Sequence, residues 1–226
     1  DMTGGTGNIG LGSGSLGTAL TTGTDNVAIG EAALDAVTSG TDNTAVGDNA
    51  AGATTTGGNN IAIGSAALLL NATGDDNIAI GYGSLDANTT VSDIVAIGSN
   101  ALGANTTGTY NTAVGTSALA TATTGTNNVA VGYGALDAGN PSYNVAVGVN
   151  ALGAVATGTS NVAVGTGALG ANTTGTVSVA VGHDALAAST TADNNVAVGN
   201  LALNANTTGS GNTAVGSTAL DANTTA

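Results

Sequence analysis

The chain contains no cysteine, tryptophan, phenylalanine, lysine or arginine, and only one proline in 226 residues. Without cysteine it forms no disulfides and no thiolate metal sites. With only 4 tyrosines as aromatic residues, it lacks the large side chains that fill an ordinary globular core, so any core must be thin. At 42% hydrophobic residues it is nevertheless too apolar for a disordered chain.

The missing cations limit the partners that the chain can bind. Its 14 acidic residues stand without a lysine or arginine, which gives a formal net charge of −14. Nucleic-acid phosphates and anionic membrane surfaces both attract cationic side chains, so we expect the chain to bind neither. No apolar run approaches the length of a membrane span, so we expect no membrane insertion.

What the sequence does contain is one phrase, Asn-Val-Ala-Ile-Gly at residues 26–30, which recurs along the chain. Residues 8–12 form a degenerate copy of it. Taking the closing glycine of each phrase as position 0, the interval between closing glycines is 17 residues, except for one interval of 16. The closing glycines are Gly30, Gly47, Gly64, Gly81, Gly98, Gly115, Gly132, Gly148, Gly165, Gly182, Gly199 and Gly216.

This period predicts a β-solenoid. Seventeen residues are too few for a helix-pair repeat, and alternating Val-Ala-Val or Ile-Ala-Ile favours a short strand. Glycine, asparagine and Thr-Thr-Gly mark turns. We predict an all-β β-solenoid, or β-roll, of about 13 coils with two short parallel strands per coil, the second through the Ala-Leu pair. The predicted domain is a single repetitive one, 1–226, with 1–12 as a degenerate first coil and 13–226 as regular repeats.

The core of this solenoid is predicted to hold the valines and isoleucines at positions −3 and −1 and the leucine at +4. Position −2 is alanine in all twelve clear repeats. Since strand residues alternate between two sides, the alanines should face the opposite side, where random polar residues would appear if it were open to water. We therefore predict that these alanines pack against a second chain, with another wall of the same coil as the alternative. They are Ala28, Ala45, Ala62, Ala79, Ala96, Ala113, Ala130, Ala146, Ala163, Ala180, Ala197 and Ala214.

The repeated phrase, with Ala-Leu and Asn-Thr-Thr-Gly between its copies, resembles the head repeats of trimeric autotransporter adhesins and the shaft repeats of phage tail fibres and other surface fibres. The resemblance spans residues 8–226. It implies a left-handed β-roll, a trimer, and a surface that binds matrix or host-cell components. The period is longer than that of the adhesin repeats, and asparagine directly precedes Val-Ala-Ile-Gly where that family usually has a serine between them.

No set of residues predicts catalysis. His183 has no cysteine or second histidine to act with, and the serines and threonines lack a histidine-aspartate pair. We therefore expect no enzyme and no resident cofactor. Asp25, Asp42, Asp76 and Asp93 share position −5, and stacked carboxylates repel unless hydrated or bridged by a cation. Solvated turn residues are the favoured interpretation, and bound Ca²⁺ is the alternative.

Two further patterns lie in the turns. Position +7 carries Asn-x-Thr triplets, which predict either N-glycosylation along one edge or turn asparagines that hydrogen-bond their own backbone. Thr-Gly-Thr triplets around position +10 are similar to the threonine ladders of ice-binding solenoids. The candidate glycosylation sites are Asn71, Asn88, Asn105, Asn172, Asn206 and Asn223.

Together these patterns predict a structural or adhesive element of an extracellular, cell-surface or virion fibre. The chain would self-associate laterally or end to end into a filament or a trimeric fibre. The alternative is a binding module, either an adhesin head for host-cell or matrix glycans or an ice-binding solenoid that uses the Thr-Gly-Thr edge.

Overall fold

A computed structural model describes residues 5–225. The fold is all-β and contains no helix among these residues, and it is a parallel β-solenoid with a repeat of about 17 residues. The chain forms two compact units, Asp1–Tyr110 (unit 1) and Asn111–Ala226 (unit 2). The predicted solenoid and its period are confirmed, whereas the single domain over 1–226 stays a prediction.

Each coil contributes one three-residue strand, at positions −3 to −1. The strands of unit 1 are β1 Ile9–Leu11, β2 Val27–Ile29, β3 Thr44–Val46, β4 Ile61–Ile63, β5 Ile78–Ile80 and β6 Val95–Ile97. Those of unit 2 are β7 Thr112–Val114, β8 Val129–Val131, β9 Val145–Val147, β10 Val162–Val164, β11 Val179–Val181, β12 Val196–Val198 and β13 Thr213–Val215.

Consecutive strands pair in parallel within each unit, and like positions stand opposite one another. In unit 1, Ala62 on β4 is opposite Ala79 on β5. In unit 2, Ala163 on β10 is opposite Ala180 on β11. The stacking therefore turns every repeat position into a column of similar side chains.

The interior of the coil holds the predicted leucines at +4 together with the alanines at −2, and not the valines and isoleucines at −3 and −1. The alanines at −2 are buried in the chain's own coil, from Ala28 at 0% to Ala214 at 3% exposure. The leucines at +4 are buried with them, as at Leu68 and Leu169, both at 0%. The valines and isoleucines at −3 and −1 point outward instead and are at least partly exposed. The prediction that they form the core was wrong, because the small interior admits only a methyl group at the strand centre.

The predicted second strand through Ala-Leu does not form. The leucine at +4 has a positive φ, for example 55° at Leu68 and 51° at Leu169, and this left-handed conformation turns the chain instead of extending it. For a residue other than glycine, this left-handed conformation costs about 1–2 kcal/mol of folding free energy. Burial of the leucine side chain and the bond that its N–H donates to the next coil, as from Leu68 to Ser84 O at 2.9 Å, offset that cost.

The closing glycine ends each strand at a point where two coils touch. Gly64 has φ of 130°, and a Cβ built on it would lie 2.7 Å from the carbonyl carbon of Gly81 in the next coil. Both the conformation and the contact exclude a side chain. This explains why position 0 is glycine in every repeat.

A column of buried asparagines at position −4 fastens the coils to each other. The Asn60 side chain donates to Asn43 Oδ1 at 3.0 Å and to the carbonyl of Gly74 at 2.9 Å. Its own Oδ1 accepts from both the N–H and the side-chain amide of Asn77. Because each buried amide is satisfied by its neighbours, the column links strand and turn along the stack.

The 16-residue coil keeps its strand in register. β8 and β9 pair with Ala130 opposite Ala146 despite the missing residue. Pro141 is buried at the position that other coils give to the inward-facing residue at +10. Its carbonyl accepts from the Asn128 amide at 2.9 Å, as the glycine carbonyl does elsewhere, so the shortening is absorbed in the turn.

Candidate interaction surface

The most distinctive surface of each unit is the outward side of its strands. Positions −3 and −1 carry valine and isoleucine, with threonine on three strands and leucine on one, and none of these side chains is buried. Ile63 remains 38% exposed and Val164 37% exposed within their stacks. We call this surface face 1 in unit 1 (β1–β6) and face 2 in unit 2 (β7–β13).

Two columns border each face, because positions −5 and +1 continue the outward alternation of −3 and −1. All four tyrosines of the chain lie in these borders and are exposed. Tyr82 and Tyr133 occupy position +1, at 63% and 59% exposure, and Tyr110 and Tyr143 occupy position −5, at 63% and 62%.

The borders of the two faces differ in charge. Face 1 is bordered by six exposed carboxylates, and the face 2 borders contain none. The face 2 borders hold two exposed valines instead, Val149 at 42% and Val177 at 55% exposure. The acidic residues that border face 1 are Asp25, Asp42, Asp76 and Asp93 at −5 and Glu31 and Asp48 at +1.

The alanines predicted to contact a second chain are placed elsewhere by the structure. Ala28, Ala113 and Ala180 are each 0% exposed in the isolated chain, like the rest of their column. A second chain cannot reach them, so that assignment is corrected. The outward side chains are those at −3 and −1, so the predicted orientation of the strand was inverted.

Five of the six candidate glycosylation sites are buried in the structure. Asn71, Asn88, Asn105, Asn172 and Asn206 are all 0% exposed. In the coil of Asn71, the side-chain amide donates to Gly74 O at 2.9 Å and Oδ1 accepts from Gly74 N at 3.1 Å. These asparagines close a turn onto their own backbone, which is the alternative that the sequence left open. Asn223, in the final coil, is half-buried.

The acidic column at −5 lies in a turn of positive φ. Asp25 has φ of 59° and Asp76 of 57°, and aspartate tolerates this conformation better than most residues. The carboxylates are exposed, and no group of three or more potential metal ligands occurs among the described residues. A Ca²⁺ site at this column stays a prediction.

Two other acids lie in a less polar setting, one in each unit. Asp86 and Asp137 both occupy position +5 and are half-buried. Partial burial raises the pKa of each carboxyl above its ordinary value, and hydrogen bonds from backbone N–H groups oppose the increase. In both units, partial burial at this position therefore disfavours the charged form of the carboxyl.

His183 lies exposed at position +1, with its Nδ1 3.3 Å from Asp184 Oδ2 and 3.4 Å from the side-chain amide of Asn200. Residues 5–225 enclose no pocket in which these groups could act on a substrate.

The Thr-Gly-Thr edge has a regular geometry. Position +9 is threonine in ten of twelve coils, and all ten are exposed, whereas position +10 turns inward and is buried. Position +11 holds the coils together: Asp193 Oδ1 accepts from both the N–H and the hydroxyl of Thr176, at 2.7 and 2.9 Å. The +9 threonines bond to the next coil through their backbone, as from Thr174 N to Thr190 O at 3.3 Å, and their side chains are exposed.

No helix in the described part of the chain is long and apolar enough to cross a bilayer. Comparison of the chain with protein-family models, curated proteins and solved structures finds no significant match.

Proposed function

We propose that the protein is a structural or adhesive element of an extracellular fibre, on a cell surface or a virion. In this role the β-solenoid self-associates laterally or end to end into a filament or a trimeric fibre. Its contribution is mechanical, and no step of covalent chemistry is part of it.

The observation that carries the proposal is the outward orientation of the valines and isoleucines. A solvated strand face usually alternates to polar residues, yet positions −3 and −1 remain β-branched in nearly every coil. Exposed contiguous apolar surface of this extent marks an interaction site in most soluble proteins. The narrow interior is already filled by alanine and leucine, so the outward columns are free to bury a partner.

The amino-acid composition supports a structural role in surroundings that contain proteases and oxidants. The chain has no lysine or arginine for trypsin-like proteases to cleave after, and no cysteine to oxidise. The fold gains its stability from contacts between neighbouring coils, which is typical of repeat proteins that span distance.

Sedimentation equilibrium and negative-stain electron microscopy of the purified chain test this function. The expected result is a concentration-dependent oligomer that appears as filaments or discrete trimers. A chain that sediments as a monomer at high concentration would contradict the proposal.

A second candidate function, ice binding, is favoured by the exposed +9 threonines. Their methyl and hydroxyl groups recur at the coil spacing of about 4.8 Å along one edge. The role of position +11 in joining coils weighs against a two-column threonine surface. Thermal hysteresis of the purified protein, with Thr107→Lys or Thr174→Lys as variants, separates this function from fibre formation.

A further inference from the structure

We propose that a second copy of the chain docks on face 2, and that the carboxylates bordering face 1 prevent face 1 from self-associating. The inference rests on the proposed fibre function and assigns its contact surface to unit 2.

The first argument is the charge at the borders. Face 1 presents six exposed carboxylates in two columns on either side of its apolar strands. If two copies met through face 1, six carboxylates from each copy would enter one interface. The chain has no lysine or arginine to pair with them, and juxtaposed like charges cost several kcal/mol.

The second argument is the composition of face 2. Its strands carry valine at −3 and −1 except for Thr112 and Thr213, and its borders hold Tyr133, Tyr143, Val149 and Val177. Tyrosine is enriched in the cores of protein interfaces, and charged residues are depleted there. His183 is the one ionisable group other than tyrosine in the face 2 borders, with Asp184 beside it at +2.

The third argument is area. Seven strands about 4.8 Å apart, each with six residue steps of about 3.3 Å between the borders, give roughly 650 Å² of projected surface. A stable interface of standard size needs about 800 Å² of accessible surface per partner. The estimate of roughly 650 Å² already lies within the range of about 600–1,000 Å² per partner that such interfaces bury, so this face is large enough for a second copy.

The first test adds one carboxylate to the full-length chain. Val177→Asp places aspartate at −5 in unit 2, where the backbone has φ of 57°, against 59° at the natural Asp25. The fold should tolerate it, and self-association measured by sedimentation should weaken by about tenfold or more. Ala156→Asp, at an exposed site outside face 2, is the control with the same charge and should associate like the parent chain.

The second test removes carboxylates from face 1. Replacing Asp25, Asp42, Asp76 and Asp93 by asparagine keeps a residue type that position −5 already carries at Asn59, with φ of 57°. This variant should form larger assemblies than the parent chain, because face 1 then becomes available as a second contact.

Disulfide trapping locates the contact directly in this cysteine-free chain. Ser160→Cys at the border of face 2 should form cross-linked dimers on mild oxidation, whereas Asn59→Cys at the border of face 1 should remain uncross-linked. A parent chain that stays monomeric would contradict both this inference and the proposed function. Association that survives Val177→Asp and cross-links through Asn59→Cys would overturn this inference alone.

Discussion

Units 1 and 2 have the same interior and different borders. In both, alanine at −2 and leucine at +4 fill the coil and asparagine at −4 joins it to the next. Outside, six carboxylates border face 1 and none borders face 2. The comparison shows that coil geometry dictates the inward columns and leaves positions −5 and +1 free to vary. Differences in function between the units should therefore be sought in these two columns.

The largest expected effect tests whether the interiors are equivalent. Gly64→Ala in unit 1 and Gly165→Ala in unit 2 would each place a Cβ against the backbone of the next coil, at φ of 130° and 136°. Each should lose about 3 kcal/mol or more of unfolding free energy, measured by urea denaturation followed by circular dichroism.

The control for that pair is Gly211→Ala, at φ of 76°, where nothing lies within 4 Å of the added Cβ. It carries only the conformational cost of about 1–2 kcal/mol. A large loss in one unit and a small loss in the other would refute the equivalence of the two interiors.

The next effect distinguishes the asparagine columns. The Asn60 side chain bonds to both neighbouring asparagines and to Gly74 O. That of Asn161 donates to Gly175 O and accepts from Ser178 N. Asn60→Ala leaves more buried polar groups without a hydrogen-bond partner, so it should destabilise unit 1 by about 2–4 kcal/mol. Asn161→Ala should destabilise unit 2 by less. Equal losses of stability in thermal denaturation would show that the additional side-chain bonds of Asn60 to its neighbouring asparagines do not matter.

The pH dependence of stability should be similar in both units. The pKa values of Asp86 and Asp137 are raised in the folded state, so the native chain binds more protons than the unfolded chain between the ordinary carboxyl pKa of about 4 and the raised folded values. Stability should therefore rise as the pH falls through that window.

Asp86→Asn and Asp137→Asn should each flatten this pH dependence and raise the melting temperature at neutral pH. Asp35→Asn, at the same position +5 but exposed, controls for the change in net charge. If both variants keep the slope of the parent chain, burial at position +5 does not control the titration.

The smallest effect is a gain. Ser178 interrupts the asparagine column of unit 2, where its hydroxyl accepts from Asn195 N at 3.2 Å. The side-chain amide of Ser178→Asn should donate an additional hydrogen bond to Asn161 Oδ1 and stabilise unit 2 by about 1 kcal/mol. The gain should be visible as a small upward shift of the melting temperature. A loss of stability would mean that the coil has adapted around the serine.

The sequence was sufficient to predict the solenoid and its period, because a fixed repeat imposes like-on-like stacking. It was not sufficient to orient the strand. Period-two alternation separates Val27 and Ile29 from Ala28 but does not say which side is inside. Greater hydrophobicity favoured the valines, whereas at the strand centre the coil interior has room for alanine only.

The turns were harder to predict than the strands. Leucine at +4 suggested an extended segment, but Leu34 and Leu102 adopt a left-handed conformation that sequence propensity disfavours. The asparagines at +7 matched a glycosylation triplet, and the glycine three residues after Asn71 was the signal for a turn instead. The charge contrast between the borders was present in the sequence, but it became visible only after the outward side was known.

The asparagine column gives each coil the same upper and lower contact surfaces. A segment of seventeen residues can therefore be inserted or removed, by recombination within the gene, without creating a new kind of joint. The length of such a protein can change in steps of one coil while every remaining contact is preserved. Natural variants that differ by whole coils should thus be stabilised by the same coil-to-coil contacts and differ only in length.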